Sequence, residues 1–189
     1  MGSYPVSRRA VFLDRDGVLN RATVRQGKPY PPSSLEELEI LPGVSAACRD
    51  LHLAGFLLIM VTNQPDVARG TQTRAVVEAI NQVLSDSLSL DDVKVCYHDS
   101  SDNCMCRKPE PGLLLEAAEK WKIDLPGSFL VGDRWKDIEA GRRAGCRNIF
   151  LEYDYSEVKP KGFDKRVSSL GDAADWILEK TRLLKGEQE

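Results

Sequence analysis

Five short apolar runs, each about one strand long, are separated by stretches with helical periodicity, and this alternation leaves few folds open to the chain. The runs are Val11 to Leu13, Phe56 to Val61, Val93 to Cys96, Ser128 to Val131 and Asn148 to Leu151. Most are apolar throughout rather than at every second residue. That pattern belongs to strands buried on both faces, as in a parallel sheet.

The intervening segments supply the helices. Pro42-Gly43 introduces one with Val44, Ala47, Cys48 and Leu51 on a single face, stopped at Gly55. A second runs from Thr73 to Ser87, with Val76, Val77, Ile80, Val83 and Leu84 as its core stripe. Pro109 and Pro111 bracket a third, which carries Leu113, Leu114, Ala117, Ala118 and Trp121; Trp135 to Ala144 and Asp172 to Leu184 give two more. Lys185 to Glu189 is expected to fray. The fold class is therefore α/β, a Rossmann-like, doubly wound and mostly parallel sheet with helices on both faces. One domain is expected over residues 1–189, with its core at about 9–183. Asn20 to Ser34 reads as a long polar loop with Gly27, Pro29, Pro31 and Pro32 and no helix of its own. It is too short for a separate cap domain, so loops must cover the site: Arg21 to Ser34, Pro65 to Gly70 and the segment around His98.

Composition removes several function classes. A net charge of −3 argues against non-specific nucleic-acid binding. No run approaches the roughly 18 apolar residues of a membrane span, and Met1 to Arg9 lacks the apolar stretch of a signal peptide, so a cytoplasmic location is expected. The expected partner is a small metabolite, with no nucleic acid and no membrane, the chain being a monomer or weak homo-oligomer.

Ligands of such sheets bind at the carboxyl ends of strands, and that is where this chain places its chemistry. The first strand runs into Asp14-Arg15-Asp16-Gly17, the second into Thr62-Asn63-Gln64, the fourth into Gly132-Asp133-Arg134. Two carboxylates one residue apart resist joint ionisation, and a hard cation such as Mg²⁺ relieves them. Asp14 can then act as a nucleophile toward phosphorus, Asp16 can handle protons, and Asp133 can complete the Mg²⁺ site. Thr62 offers a hydroxyl and an N–H to phosphate oxygens, and Lys108 a point charge just before a helix start. Each has a plain structural reading on its own: an acidic turn, a helix cap, a solvated lysine, a tight turn. The chain order Asp-x-Asp, Thr, Lys, Gly-Asp favours function.

There are five cysteines. Cys48 and Cys146 sit in apolar helical contexts and read as buried packers. Cys96-x-His98 and Cys104-x-Cys106 instead supply three thiolates and one imidazole, the ligand set of a closed structural Zn²⁺ site that staples a loop.

These motifs, spanning Val11 to Gly141, resemble those of the haloacid-dehalogenase-superfamily phosphatases. The resemblance implies an aspartyl-phosphate on Asp14, general acid/base work by Asp16, and stabilisation of the transferring group by Thr62 and Lys108. It implies Mg²⁺ held by Asp14, the Asp16 backbone carbonyl and Asp133, with Asp137 as a supporting carboxylate. The Cys/His segment directly before Arg107-Lys108-Pro109 is similar to that of heptose bisphosphate and histidinol-phosphate phosphatases. This implies substrate contacts by Asn63, Arg69 and Arg107, the last at the distal end of the substrate. A heptose 1,7-bisphosphate or related sugar phosphate is the expected substrate, with histidinol phosphate as the alternative and a non-catalytic sugar-phosphate-binding module behind both. Two departures bear on substrate. Pro65-Asp66 stands where the family commonly has Ser-Gly, and the segment Asp99 to Asn103 is short and acidic.

Overall fold

In the computed structural model, which describes residues 8–186, the apolar runs assemble into one six-stranded sheet with the order β5-β4-β1-β6-β7-β8. The strands are β1 Ala10–Leu13, β4 Leu57–Asn63, β5 Asp92–Cys96, β6 Phe129–Gly132, β7 Arg147–Leu151 and β8 Lys165–Val167. Every pairing in this sheet is parallel. The helices are α1 Val44–Leu53, α2 Arg74–Leu88, α3 Gly112–Trp121, α4 Trp135–Ala144 and α5 Leu170–Gly186.

Alternate residues of β1 feed opposite faces, as the pleat requires. Val11 and Leu13 pack with Leu51, Ile80 and Ile177, from α1, α2 and α5. Ala10 and Phe12 pack with Leu113, Leu114 and Ala140, from α3 and α4. All four β1 residues are fully buried. At roughly 25 cal/mol per Å² of apolar surface, such double-sided burial is the main force holding the centre of the sheet.

The elements legible as apolar runs are present, with ends shifted by a residue or two. The structure corrects four details. The loop expected from Asn20 to Ser34 contains a two-stranded antiparallel hairpin, β2 Thr23–Arg25 and β3 Lys28–Tyr30, turning on Gln26-Gly27 with φ of 51° and 74°. β8 adds a sixth sheet strand at the edge. Val83 is 40% exposed, and the buried face of α2 carries Asn81 instead, because that face must meet the buried Arg15. α5 runs to Gly186, past the expected end at Leu184. The expectations for Met1 to Ser7 and Glu187 to Glu189 lie outside the described residues.

β1 lies between β4 and β6, so the chain leaves it toward both sides of the sheet, and the crevice at such a switch point is where ligands bind. The β4–β5 ladder ends on the rung Asn63↔Cys96, and the Gln64 N–H donates to the Cys96 carbonyl at 2.7 Å. No described helix is long and apolar enough to cross a membrane.

Candidate active site

Asp14 continues β1 by one residue, its N–H donating to the Val131 carbonyl of β6 at 3.0 Å. Asp133 follows β6 and Asp137 lies one turn into α4. One carboxylate oxygen from each of Asp14, Asp133 and Asp137 lies within 4.8 Å of the other two, and all three residues are buried. Lys108, 2% exposed, reaches into this group: its Nζ is 2.8 Å from Asp14 Oδ1, 2.6 Å from Asp137 Oδ1 and 2.8 Å from the Val61 carbonyl. Three carboxylates thus face a single ammonium.

The electrostatics follow from that imbalance. Burial, then repulsion from Asp137, raise the Asp14 carboxyl to about 6 against the pull of Lys108, and Asp16 adds least. The like charges that press on Asp14 therefore come mainly from its cluster partners Asp137 and Asp133, and less from Asp16 two residues along the chain. Burial and the charges of Asp14 and Asp137 push Asp133 well above the usual carboxylate range. Burial alone would lower Lys108, but Asp137 and Asp14 overcome it and raise its pKa. Asp133 Oδ2 accepts the Tyr155 hydroxyl at 2.9 Å, whereas the buried Oδ1 has no partner among the described residues. An orphaned carboxylate oxygen among crowded acids is what a hard cation satisfies, and this donor set fits Mg²⁺.

Two glycines allow this close approach. A Cβ on Gly17, whose φ is +90°, would lie 2.1 Å from Asp133 Oδ2. One on Gly132 would lie 2.2 Å from the Asp137 Cβ. Any side chain at either position would push an acid out of the cluster.

Asp16 is held differently. Its carboxylate accepts from Arg15 Nη2 at 3.0 Å, Asn20 Nδ2 at 3.1 Å and Gln64 Nε2 at 2.8 Å. Arg15 is fully buried, with Nη1 donating to Asn81 Oδ1 at 2.8 Å. Gln64 also donates to the buried Thr62 Oγ1 at 2.9 Å, so one amide ties the proton-handling carboxylate to the hydroxyl. Asn63 gives and takes hydrogen bonds with the Lys108 backbone, at 3.0 and 3.1 Å. Its amide thereby holds the loop that carries the lysine, while the residue also lines the pocket where the sequence expected it to meet substrate.

These groups line a pocket of about 340 Å³ whose wall includes Asp14, Asp16, Thr62, Arg69, Arg107 and Lys108. All three expected covering loops contribute: Lys28 and Tyr30 from the hairpin, Pro65 and Asp66 after β4, Ser100 before the paired cysteines. Arg134, Lys136 and Glu157 also line it, and Arg134 is ion-paired to Glu157, with Nε 2.9 Å from Oε2. Asp66 and Asp99 both bind Arg69, Asp99 through Nε at 2.8 Å and Nη2 at 2.6 Å. Sequence reasoning missed Tyr155, Asn81 and Glu157, which sit on a helix face or a loop whose path no local pattern announces.

At the pocket rim Cys96, His98, Cys104 and Cys106 converge. The three Sγ–Sγ separations are 3.7, 3.2 and 3.3 Å, and His98 Nδ1 is 3.3 Å from Cys106 Sγ. A disulfide needs about 2.05 Å; thiolates sharing a tetrahedral Zn²⁺ at about 2.3 Å stand about 3.8 Å apart. The contacts lie nearer the second. Burial works against ionisation of Cys104, yet hydrogen bonds from Cys106 and the Arg107 backbone bring its thiol down to about 7. The four side chains can hold a metal ion. Cys48 and Cys146 are buried packers, as expected.

A family model described as HAD-hydrolase-like matches residues 105–161. The curated D-glycero-beta-D-manno-heptose-1,7-bisphosphate 7-phosphatase of Rhodopseudomonas palustris is 37% identical over 163 residues, 80% of this chain and 87% of that protein. The Escherichia coli (strain K12) protein of the same name is 34% identical over 181 residues, 89% of this chain and 87% of the relative. The crystal structure of D,D-heptose 1,7-bisphosphate phosphatase from B. bronchiseptica, complexed with magnesium and phosphate, superposes with a TM-score of 0.78 at 29% identity, covering 91% of this chain and 99% of that one. Strand-end acids gathered around a buried lysine, on a parallel sheet with no cap domain evident among the described residues, agree with these matches, and the chain belongs to the haloacid-dehalogenase-like phosphatases. Both curated relatives named above carry the heptose-bisphosphate name, not the histidinol-phosphate one expected as the alternative.

Proposed function

We propose that the chain removes one phosphate from D-glycero-D-manno-heptose 1,7-bisphosphate or a closely related sugar phosphate. The observation that carries the chemistry is the buried Lys108 joining Asp14 to Asp137 beside the unpartnered Asp133 oxygen. Similarity to the heptose-bisphosphate phosphatases over most of both chains supports the substrate class.

An Asp14 oxygen attacks phosphorus, forming a P–O bond as the ester bond to the sugar oxygen breaks. Asp16 supplies the proton that the sugar oxygen needs, then takes one from the water that hydrolyses the aspartyl-phosphate. Arg15, Asn20 and Gln64 orient Asp16 for both steps. Lys108 and Thr62 meet the charge on the transferring oxygens. Asp14, the Asp16 backbone carbonyl and Asp133 would hold Mg²⁺, with Asp137 supporting through Lys108; when bound, the ion neutralises the acids and the phosphate charge. Arg107 and Arg69 bind the distal part of the substrate, where a forked guanidinium suits phosphate.

The chain works as one catalytic domain, a monomer or weak homo-oligomer, with a small metabolite rather than nucleic acid or membrane as partner. Clustered cysteines that converge without a disulfide support a cytoplasmic setting. Phosphate release across a panel of sugar phosphates and histidinol phosphate, scored by kcat/KM, tests the proposal. A heptose bisphosphate is expected to lead by at least tenfold, and a histidinol phosphate lead would overturn it. For the rim metal, one Zn²⁺ per chain is expected after purification and is lost in Cys104→Ser, with a fall in thermal midpoint; a zinc-free protein of undiminished midpoint would remove the staple.

A further inference from the structure

Two guanidiniums face the pocket from different loops, and one carboxylate engages both. Arg69 gives Asp99 a two-pronged contact, Nε at 2.8 Å and Nη2 at 2.6 Å, the same fork it would offer a phosphate. Arg107 Nη2 lies 4.0 Å from Asp99 Oδ1, while its Nη1 donates to the His98 carbonyl at 3.1 Å. Asp66 takes the remaining Arg69 nitrogen at 3.3 Å. Two cations are thus met by two anions, so a second phosphate must compete with carboxylates for both guanidiniums, while Lys28 and Lys136 on the same wall supply further positive charge.

Asp99 is also fixed in place. Its Oδ1 accepts the Ser100 N–H at 2.7 Å, and its own N–H donates to Asp102 Oδ2 at 2.8 Å, capping the 3₁₀ turn Ser100–Asp102. The carboxylate is thus held by one backbone N–H as well as by Arg69, and its backbone is held by Asp102, so a substrate must break these contacts to move it. The side chains of Asp99 and Arg107 are only 27% and 12% exposed, so solvent screens their interaction less than that of an open surface pair.

We propose that Asp99 is a specificity-determining residue, an internal competitor for the second phosphoryl group that sets how strongly this chain prefers a bisphosphate over the matching monophosphate. The proposal rests on the sugar-phosphate reading of the pocket. It separates two tasks: Lys108 and the acids at the floor process the transferring phosphate, and Asp99 tunes what the arginines grip at the other end.

The test compares wild type, Asp99→Asn and Arg69→Gln on a heptose 1,7-bisphosphate and its 7-phosphate, and on a hexose 1,6-bisphosphate and its 6-phosphate. Asparagine keeps the capping oxygen and removes the charge. The bisphosphate-to-monophosphate ratio of kcat/KM is expected to rise roughly fivefold in Asp99→Asn, the scale of one partly screened charge, and to fall in Arg69→Gln, which leaves the carboxylate opposed by Arg107 alone, at 4.0 Å. A ratio that stays put, or losses shared equally by both substrates, overturns the proposal. Zinc content is measured alongside. If Asp99→Asn sheds its metal, Asp99→Ser carries the same comparison. Should the heptose pair not be hydrolysed while the hexose ratio moves as expected, the heptose assignment fails and the role of Asp99 stands.

Discussion

Asp14→Asn is expected to lower kcat by about 10⁴-fold or more, because the amide cannot form the covalent bond to phosphorus. The same change should stabilise the metal-free protein. The folded-state pKa of Asp14, about 6, lies above its ordinary 3.8. Ionisation therefore opposes folding: stability is fullest below about pH 4 and declines as pH rises through the window from about 4 to about 6. Asparagine does not titrate. At pH 7 without Mg²⁺ the variant should gain up to about 3 kcal/mol over wild type, and the gain should vanish near pH 4. Phosphate release and thermal melts across pH in chelator check both halves. Undiminished turnover would remove Asp14 as nucleophile, and a pH-independent difference in midpoint would remove the electrostatic account.

Lys108→Met should be the most destabilising single change in the site. It leaves Asp14 and Asp137 facing each other in the interior without the ammonium that now lies within 2.8 Å of both. Breaking a buried pair by deleting one partner costs about 3–5 kcal/mol, and loss of a charge at the transferring phosphate should cut kcat by about 10³-fold. Asp137→Asn placed on top separates the two effects. The double variant should recover a good part of the melting midpoint and none of the activity. Equal recovery of both would mean that Lys108 acts only as a structural counter-ion.

Much of this arrangement could be read before any coordinates, and the reason is local. Fully apolar runs such as Val11 to Leu13 mark strands buried on both faces, and the polar residues that end them must lie at the carboxyl edge of a parallel sheet. That logic placed Asp14, Thr62 and Asp133 together. β2, β3 and β8 escaped it because each is three residues long and mostly exposed, so no burial pattern betrays them. Helix periodicity put Val83 of α2 in the core where the structure buries Asn81, since a polar residue facing a buried arginine cannot be told from a solvent-facing one by hydropathy. Tyr155 reaches Asp133 from a loop beyond β7, a meeting set by tertiary path alone.

The last rung of the β4–β5 ladder joins Asn63, which grips the lysine loop, to Cys96, a thiol of the rim cluster. Metal capture at the rim and lysine placement at the floor are therefore neighbours along a single backbone pairing, with no hinge in between. A zinc-stripped chain would then lose catalytic rate as well as substrate discrimination, since slackening one anchor slackens the other.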